Sequence, residues 1–505
     1  MKKLQTIYPP LAAAFPVLAV FSANLSLCPL RDLWRPLGIA VGVASLIWLV
    51  ASLVCRSAER GAAAATVVII SCFLYGKLDD YCSRQSLATA PIWTAATIAV
   101  AALAAWKWRW HRPLNVLSTF MVLSSVGSIL FGYAKIARDE ARLAPQTALH
   151  STGAAQRPDI YYVILDGYGR SDQLKRVMSF DNTSFLGELE KRGFYVAPES
   201  HSNYVQTELS LSSSLNLDFI PRLLPQQPKD SDDRAPLDRL ASHNAVAKYL
   251  RSIGYEYIAI TTGFPALKFV DADLHLGRAH RISLLESAMM AMTPIAGGGY
   301  AVDSEYEDRR NLLTAAFANL RTEGTGSSIK PRFVFAHILA PHPPFVFNAD
   351  GTTRPKSHGG FGYWDGSDYY ASGNTKLDYR DGYVNQAKYV DTQTLATLDA
   401  ILAKPGPKPI ILLQGDHGSK LGLSQNSLAK TDLTECMSNL MAYEVPDEVR
   451  TKLYSDITPV NSFRIILSTL FGANLPNQPD RSWFSTFDEP YNFVEVTDRL
   501  KASKP

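Results

Sequence analysis

Apolar positions are spread unevenly along the chain, and their rhythm changes near residue 135. Before that point they run almost unbroken, in "PPLAAAFPVLAVFSANLSLC", "LGIAVGVASLIWLVASLVC", "AAAATVVIISCFLYG", "PIWTAATIAVAALAAW" and "NVLSTFMVLSSVGSILFGYA". A helix that spans a membrane needs about 20 such residues. The second and fifth stretches meet that length; the first carries Pro16, and the third and fourth are short. After residue 158 the apolar runs shorten and alternate with amphipathic stretches. "DIYYVIL", "EYIAITT", "RFVFAHI" and "PIILLQG" are rich in β-branched or aromatic residues and bounded by turn residues. They read as buried strands of a mostly parallel sheet. "VAKYLRSIG" and "YVNQAKYVDTQTLATLDAILAK" read as the helices between them. The expectation is a membrane domain of about five helices over 1–135 and a juxtamembrane helix and linker over 136–157. An α/β domain with a mostly parallel central sheet, its helices on both faces, follows over 158–505.

Charge orients the spans. With the amino terminus inside the cell, the inner segments carry Lys2, Lys3, Arg56, Arg60, Lys107, Arg109 and Arg112. The outer loops carry Arg31, Arg35, Lys77 and Arg84 among the acidic Asp32, Asp79 and Asp80. The excess of inner basic residues favours this topology. Five spans then put the α/β domain outside, in the periplasm of a bacterium whose inner membrane holds the helices. A net charge of +3 offers no basic surface for nucleic acid. Four of the five cysteines precede residue 83, and the rest of the chain holds only Cys436. An internal disulfide and a cysteine zinc site are therefore excluded from the α/β domain.

Two predicted strands end on a carboxylate. "YYVILDGYGR" stops at Asp166, and "PIILLQGDHG" stops at Asp416 with His417 beside it. Ligands bind at the carboxyl ends of parallel strands, and carboxylate with imidazole suits a divalent cation. A lone Asp-Gly is ordinary turn chemistry; two such strand ends together call for more. In "SNYVQTELSLSSSLN", Thr207 precedes a run that opens a helix, whose free N–H groups suit a phosphate oxygen. Read blandly, Thr207 or Ser210 is a helix cap. In "FAHILAPHPPF", His342 lies between two prolines past a strand, placed to protonate a leaving oxygen or to bind a phosphoryl oxygen. His337, inside that strand, is a core histidine or a partner of the site. Two polar stretches, 221–236 and 347–381, read as loops. The aromatics of the second, Tyr363, Trp364, Tyr369 and Tyr370, either cover a sugar or lipid headgroup or pack on the surface.

Together, "YVILDGYGR", "QTELSLSSSLN", "HILAPHPPF" and "LLQGDHGSKLG" resemble the alkaline phosphatase and sulfatase superfamily. With the spans in front, the chain is similar to lipoteichoic acid synthases, phosphoethanolamine transferases and glucan phosphoglycerol transferases. The resemblance implies an alkaline-phosphatase-like α/β fold. It implies one divalent ion, zinc or manganese, held by Asp166, Thr207, Asp416 and His417, with Thr207 as nucleophile and His342 beside the transferred group. Arg170, Ser210 and His337 are the candidate substrate-binding side chains. The implied reaction moves a phosphoglycerol or phosphoethanolamine group from a phospholipid to an envelope glycan or lipid A sugar, through a phospho-threonine. The alternatives are a phosphodiesterase, phosphatase or sulfatase-type hydrolase of the same fold, or a non-catalytic membrane scaffold. "TELSLS" lacks the C/S-x-P-x-R motif of sulfatases, and no histidine follows soon after "DHG", as it does in many phosphoethanolamine transferases. Phosphoglycerol therefore stands beside phosphoethanolamine as the donor group.

Overall fold

The structure, a computed structural model, describes residues 6–25, 28–83, 89–107, 110–140, 157–264, 267–277, 283–295, 300–325 and 330–502. Most of the expected linker, 141–156, lies outside them. The chain forms two compact units, Met1–Ala144 with His280–Glu305, and Pro145–Ala279 with Tyr306–Pro505.

The first unit holds five helices from the apolar stretches: α1 Tyr8–Ala23, α2 Trp34–Val54, α3 Ala58–Ser83, α4 Thr89–Lys107 and α5 His111–Glu140. Among the described residues, four stretches are long and apolar enough to cross a membrane: Leu30–Val54, Ala58–Asp79, Thr89–Lys107 and His111–Arg138. The third and fourth stretches, short in apolar composition, gain length from their flanks. α1 has only 16 residues, roughly 24 Å at 1.5 Å per residue, against a hydrocarbon core of about 30 Å. It buries Ala14, Val17, Leu18 and Phe21 at helical spacing. α2 does the opposite. Leu46, Leu49, Leu53 and Val54 are all more than half exposed, an apolar surface suited to lipid.

Residues 283–295 cluster with these helices. Ser283 and Glu286 form a capping box at the start of the helix Leu284–Ala291. Arg35 forks onto the Glu286 carboxylate. Leu285 and Met289 join Val17, Phe21, Leu33 and Ile129 in one apolar cluster. Burial of those two side chains ties the segment to the helices despite its position in the sequence.

The second unit is built on a seven-stranded sheet of order β2-β7-β6-β1-β5-β3-β4. Its strands are β1 Ile160–Leu165, β2 Tyr195–Val196, β3 Glu256–Thr261, β4 Leu274–Leu276, β5 Arg332–Ile338, β6 Ile410–Gln414 and β7 Met441–Glu444. The four predicted strands are β1, β3, β5 and β6, all mutually parallel. β7 pairs antiparallel with β6 and with β2. Every residue of β1, β5 and β6 is buried, as expected of central strands covered on both faces. One helix begins earlier than its apolar pattern indicates. Lys376–Leu402 is capped by Thr375, whose hydroxyl accepts from the Asp378 N–H, so 376–381 leave the predicted loop.

Candidate active site

The sheet order places three strand ends side by side. β6, β1 and β5 are neighbours, with Ile164 opposite Gln414 on one side and Leu165 opposite Ile338 on the other. The residues that follow, Asp166, Asp416 and the 339–342 segment, therefore emerge along one edge. The Asp166 N–H donates to the Ile338 carbonyl at 2.9 Å, and the His342 N–H donates to the Asp166 carbonyl at 3.1 Å. Gly167 turns the chain away with φ +72°, a conformation glycine adopts without a Cβ penalty. Its N–H donates to Asp416 Oδ1 at 2.9 Å. Gly418 is required for a different reason: a Cβ there would lie 2.0 Å from the Glu435 carbonyl oxygen.

Thr207 opens the wholly buried helix Thr207–Leu215. Its Oγ1 lies 3.2 Å from His417 Nε2 and 3.5 Å from Asp166 Oδ2. Ser210, one turn on, donates its hydroxyl to the Asp416 carbonyl at 2.7 Å. That bond fixes the helix start against the β6 end, so the hydroxyl is used in holding the site together.

His417 Nδ1 faces the Gly418 carbonyl at 2.8 Å and must donate to it. The lone pair of the neutral ring is then on Nε2. Burial holds this imidazole well below its usual pKa, which keeps it neutral. Its Nε2 lies 3.7 Å from Asp166 Oδ1 and 3.3 Å from Asp416 Oδ2. Those two oxygens are buried and have no hydrogen-bond partner. Asp166, Asp416 and His417 are all fully buried, with one ligand atom each inside a 4.8 Å cluster. Two buried carboxylate oxygens without donors, facing an imidazole lone pair, form an arrangement that water-free protein does not favour. Burial first, and the neighbouring Asp416 second, push the Asp166 carboxyl above the usual carboxylate range. A divalent cation relieves both effects, and two carboxylates, an imidazole and the Thr207 hydroxyl are a chemically suitable set for one.

His337 supports this cluster from behind. Its Nε2 lies 2.8 Å from Asp166 Oδ2, and burial lowers its pKa to about 4. A neutral ring that donates to a ligating carboxylate orients that carboxylate. His337 thus touches Asp166, a different place from the substrate contact expected of it. Arg170 spends its guanidinium on both Asp172 oxygens, at 2.6 and 2.8 Å, and on the Ser200 carbonyl at 2.9 Å.

A second cluster surrounds His342. Its Nε2 lies 3.2 Å from Asp365 Oδ2, and its Nδ1 faces the Pro343 carbonyl. Lys420 Nζ is 3.5 Å from the same Asp365 oxygen. Tyr379 donates its hydroxyl to the other, at 2.7 Å. Asp365, His342 and Lys420 are all buried. Burial alone would raise the Asp365 pKa, but His342 and Lys420 hold it below the usual carboxylate range. Burial likewise opposes the Lys420 charge, yet Asp365, Asp166 and Asp416 hold its pKa above the usual value. Sequence reading passed over both Asp365 and Lys420. Asp365 precedes a glycine in a polar loop and carries only a turn signal. Lys420 had one available signal, its place three residues after His417.

No protein-family model matches the chain, and no curated protein matches it. Solved structures do resemble it. The periplasmic C-terminal domain of EptC from Escherichia coli, in complex with zinc, is similar at 11% identity and a TM-score of 0.46, over 71% of this chain and 97% of that one. The integral membrane lipooligosaccharide phosphoethanolamine transferase EptA from Neisseria meningitidis is similar at 13% identity and a TM-score of 0.41, over 92% and 94%. A putative sulfatase from Bacteroides thetaiotaomicron is similar at 12% identity and 0.41, over 67% and 75%. At these identities and scores no residue is assigned by likeness, and each role here rests on the geometry of the site.

Proposed function

We propose that the protein is a membrane-bound, metal-dependent phosphotransferase that uses Thr207 as its nucleophile. It takes a substituted phosphoryl group, phosphoglycerol or phosphoethanolamine, from a phospholipid. It passes that group to a hydroxyl of an envelope glycan or lipid sugar, outside the inner membrane. One observation carries the reading. The Thr207 hydroxyl stands 3.2 Å from His417 Nε2, beside the unpartnered oxygens of Asp166 and Asp416. Asp166, Thr207, Asp416 and His417 would hold one divalent ion, zinc or manganese, which when bound favours the deprotonated hydroxyl and draws charge off the phosphoryl oxygens.

The remaining work falls to the side chains. The helix Thr207–Leu215 opens on the Thr207 hydroxyl, so its first-turn N–H groups lie at that end. Thr207 Oγ1 forms a bond to phosphorus while the bond from phosphorus to the diacylglycerol oxygen breaks. Thr207 gives up one proton and the departing diacylglycerol gains one. His342, whose N–H donates to the Asp166 carbonyl, would stand beside the transferred group. In the second half the acceptor hydroxyl attacks phosphorus, the Thr207 ester bond breaks, and Thr207 recovers a proton as the acceptor loses one. The four candidate spans support a lipid donor, because they hold the chain where such a donor lies.

Incubating the purified full chain with zinc and vesicles of phosphatidylglycerol or phosphatidylethanolamine, without acceptor, tests the chemistry. Digestion and mass spectrometry should find a glycerophosphoryl or phosphoethanolamine adduct on Thr207 and none in Thr207→Ala. An adduct on Ser210, or full transfer activity in Thr207→Ala, would overturn the assignment.

A further inference from the structure

We propose that Lys420 is a phosphoryl-oxygen-binding side chain and that Asp365 is the positioning residue that sets it, together with His342, into a single donor wall beside the Asp166–Asp416–His417 cluster. The inference rests on the phosphotransfer reading and names the tetrahedral oxyanion site within it.

A lysine is seldom buried unless paired, and burying its charge is costly. Lys420 is only 6% exposed. Its partner, Asp365 Oδ2, is 3.5 Å away and is shared with His342 at 3.2 Å. The other Asp365 oxygen accepts from the Tyr379 hydroxyl at 2.7 Å and from the Gly366 N–H at 3.0 Å. One carboxylate therefore serves two nitrogen groups, and an ammonium has three donors. Donor capacity is left over on the side of the cluster that carries positive charge.

The Lys420 side chain is also not needed to hold its own loop. Glu435 does that, accepting from the Ser419 hydroxyl at 2.8 Å, the Leu421 N–H at 2.6 Å and the Gly422 N–H at 2.8 Å. The Lys420 N–H itself donates to Tyr379 Oη at 3.3 Å. The backbone is thus clamped on both sides of a residue whose charge is turned inward. Lys420 follows His417 by three residues, and His342, which shares its Asp365 partner, donates its N–H to the Asp166 carbonyl, so the ammonium belongs to the cluster next to the triad. A phosphoryl group in contact with Thr207 Oγ1 would present oxygens to both walls, and an ammonium acts on them as a point charge.

The test uses the full chain in detergent. Binding of inorganic phosphate is titrated calorimetrically with zinc present and again without added metal, and zinc is counted on the same samples. Lys420→Met, close in length but uncharged, should weaken phosphate binding at least fivefold at unchanged zinc content, and Lys420→Arg should restore most of it. Asp365→Asn should weaken it as well, and the double variant with Lys420→Met should lose little more than Lys420→Met alone. A loss below fivefold in Lys420→Met overturns the proposal, as does a wild-type chain that binds no phosphate. Fully additive losses overturn the positioning role of Asp365. Failure to bind zinc would count against the metal reading, and phosphate binding without metal still decides the role of Lys420.

Discussion

The two sides of the site are opposite in kind. On one, Asp166, Asp416 and His417 turn lone pairs toward one another, and two of the oxygens have no donor. On the other, His342, Lys420 and Tyr379 turn donors toward a single carboxylate, Asp365. Both clusters are buried, where an unbalanced charge is expensive. The first gathers oxygens suited to a cation, and the second sets Lys420 and His342 about one carboxylate, with donors to spare. The contrast separates two tasks that composition alone would merge, since both sides are made of the same Asp and His. It also says which changes should remove a metal and which should only loosen an anion.

The largest effect is expected on the donor-poor side. Asp416→Ala should lower zinc affinity by more than the ~100-fold typical of a partner that merely orients a ligand, and transfer should disappear with the metal. A full equivalent of zinc retained by the folded variant would remove Asp416 from the site. His337→Asn comes next. It removes the donor that orients Asp166, so zinc affinity should fall by about 10- to 100-fold while phosphate binding without metal is unchanged. Unaltered zinc affinity would make His337 a core residue and no more.

The smallest effect concerns the loop that joins the two sides. Burial holds the Glu435 carboxyl up at about 7, against a usual 4.5. Between those values the folded chain keeps a proton that the unfolded chain releases. Stability should therefore fall as pH rises through this window, by at most about 1.4 kcal/mol per pH unit, and level off above 7. Glu435→Gln has no such proton, and its thermal midpoint should lose this slope. An identical pH profile in wild type and variant would show that Glu435 is ionised throughout.

The sequence by itself determined the elements and half of the site. Continuous apolar runs bounded by turn residues mark β1, β3, β5 and β6, because a strand covered on both faces has no polar side to alternate with. Asp166, Asp416, His417 and Thr207 were legible for the same local reason: each stands where such a run, or a helix, must begin or stop. The second and fifth apolar stretches were legible as spans because bilayer thickness sets a length that composition must meet, and the third and fourth reach it only with their flanks. Tertiary structure alone decided what lies beside what. The order β6-β1-β5 brings residues 166, 337 and 416 to one edge, and no local pattern encodes it. It turned His337 onto Asp166, and packing drew residues 283–295 to the helices through Leu285 and Met289. It also took Asp365 out of an ordinary Asp-Gly turn and set it between His342 and Lys420. Periodicity reports which face of an element is buried; charges 55 residues apart in sequence, as Asp365 and Lys420 are, meet only when the chain folds around a common centre.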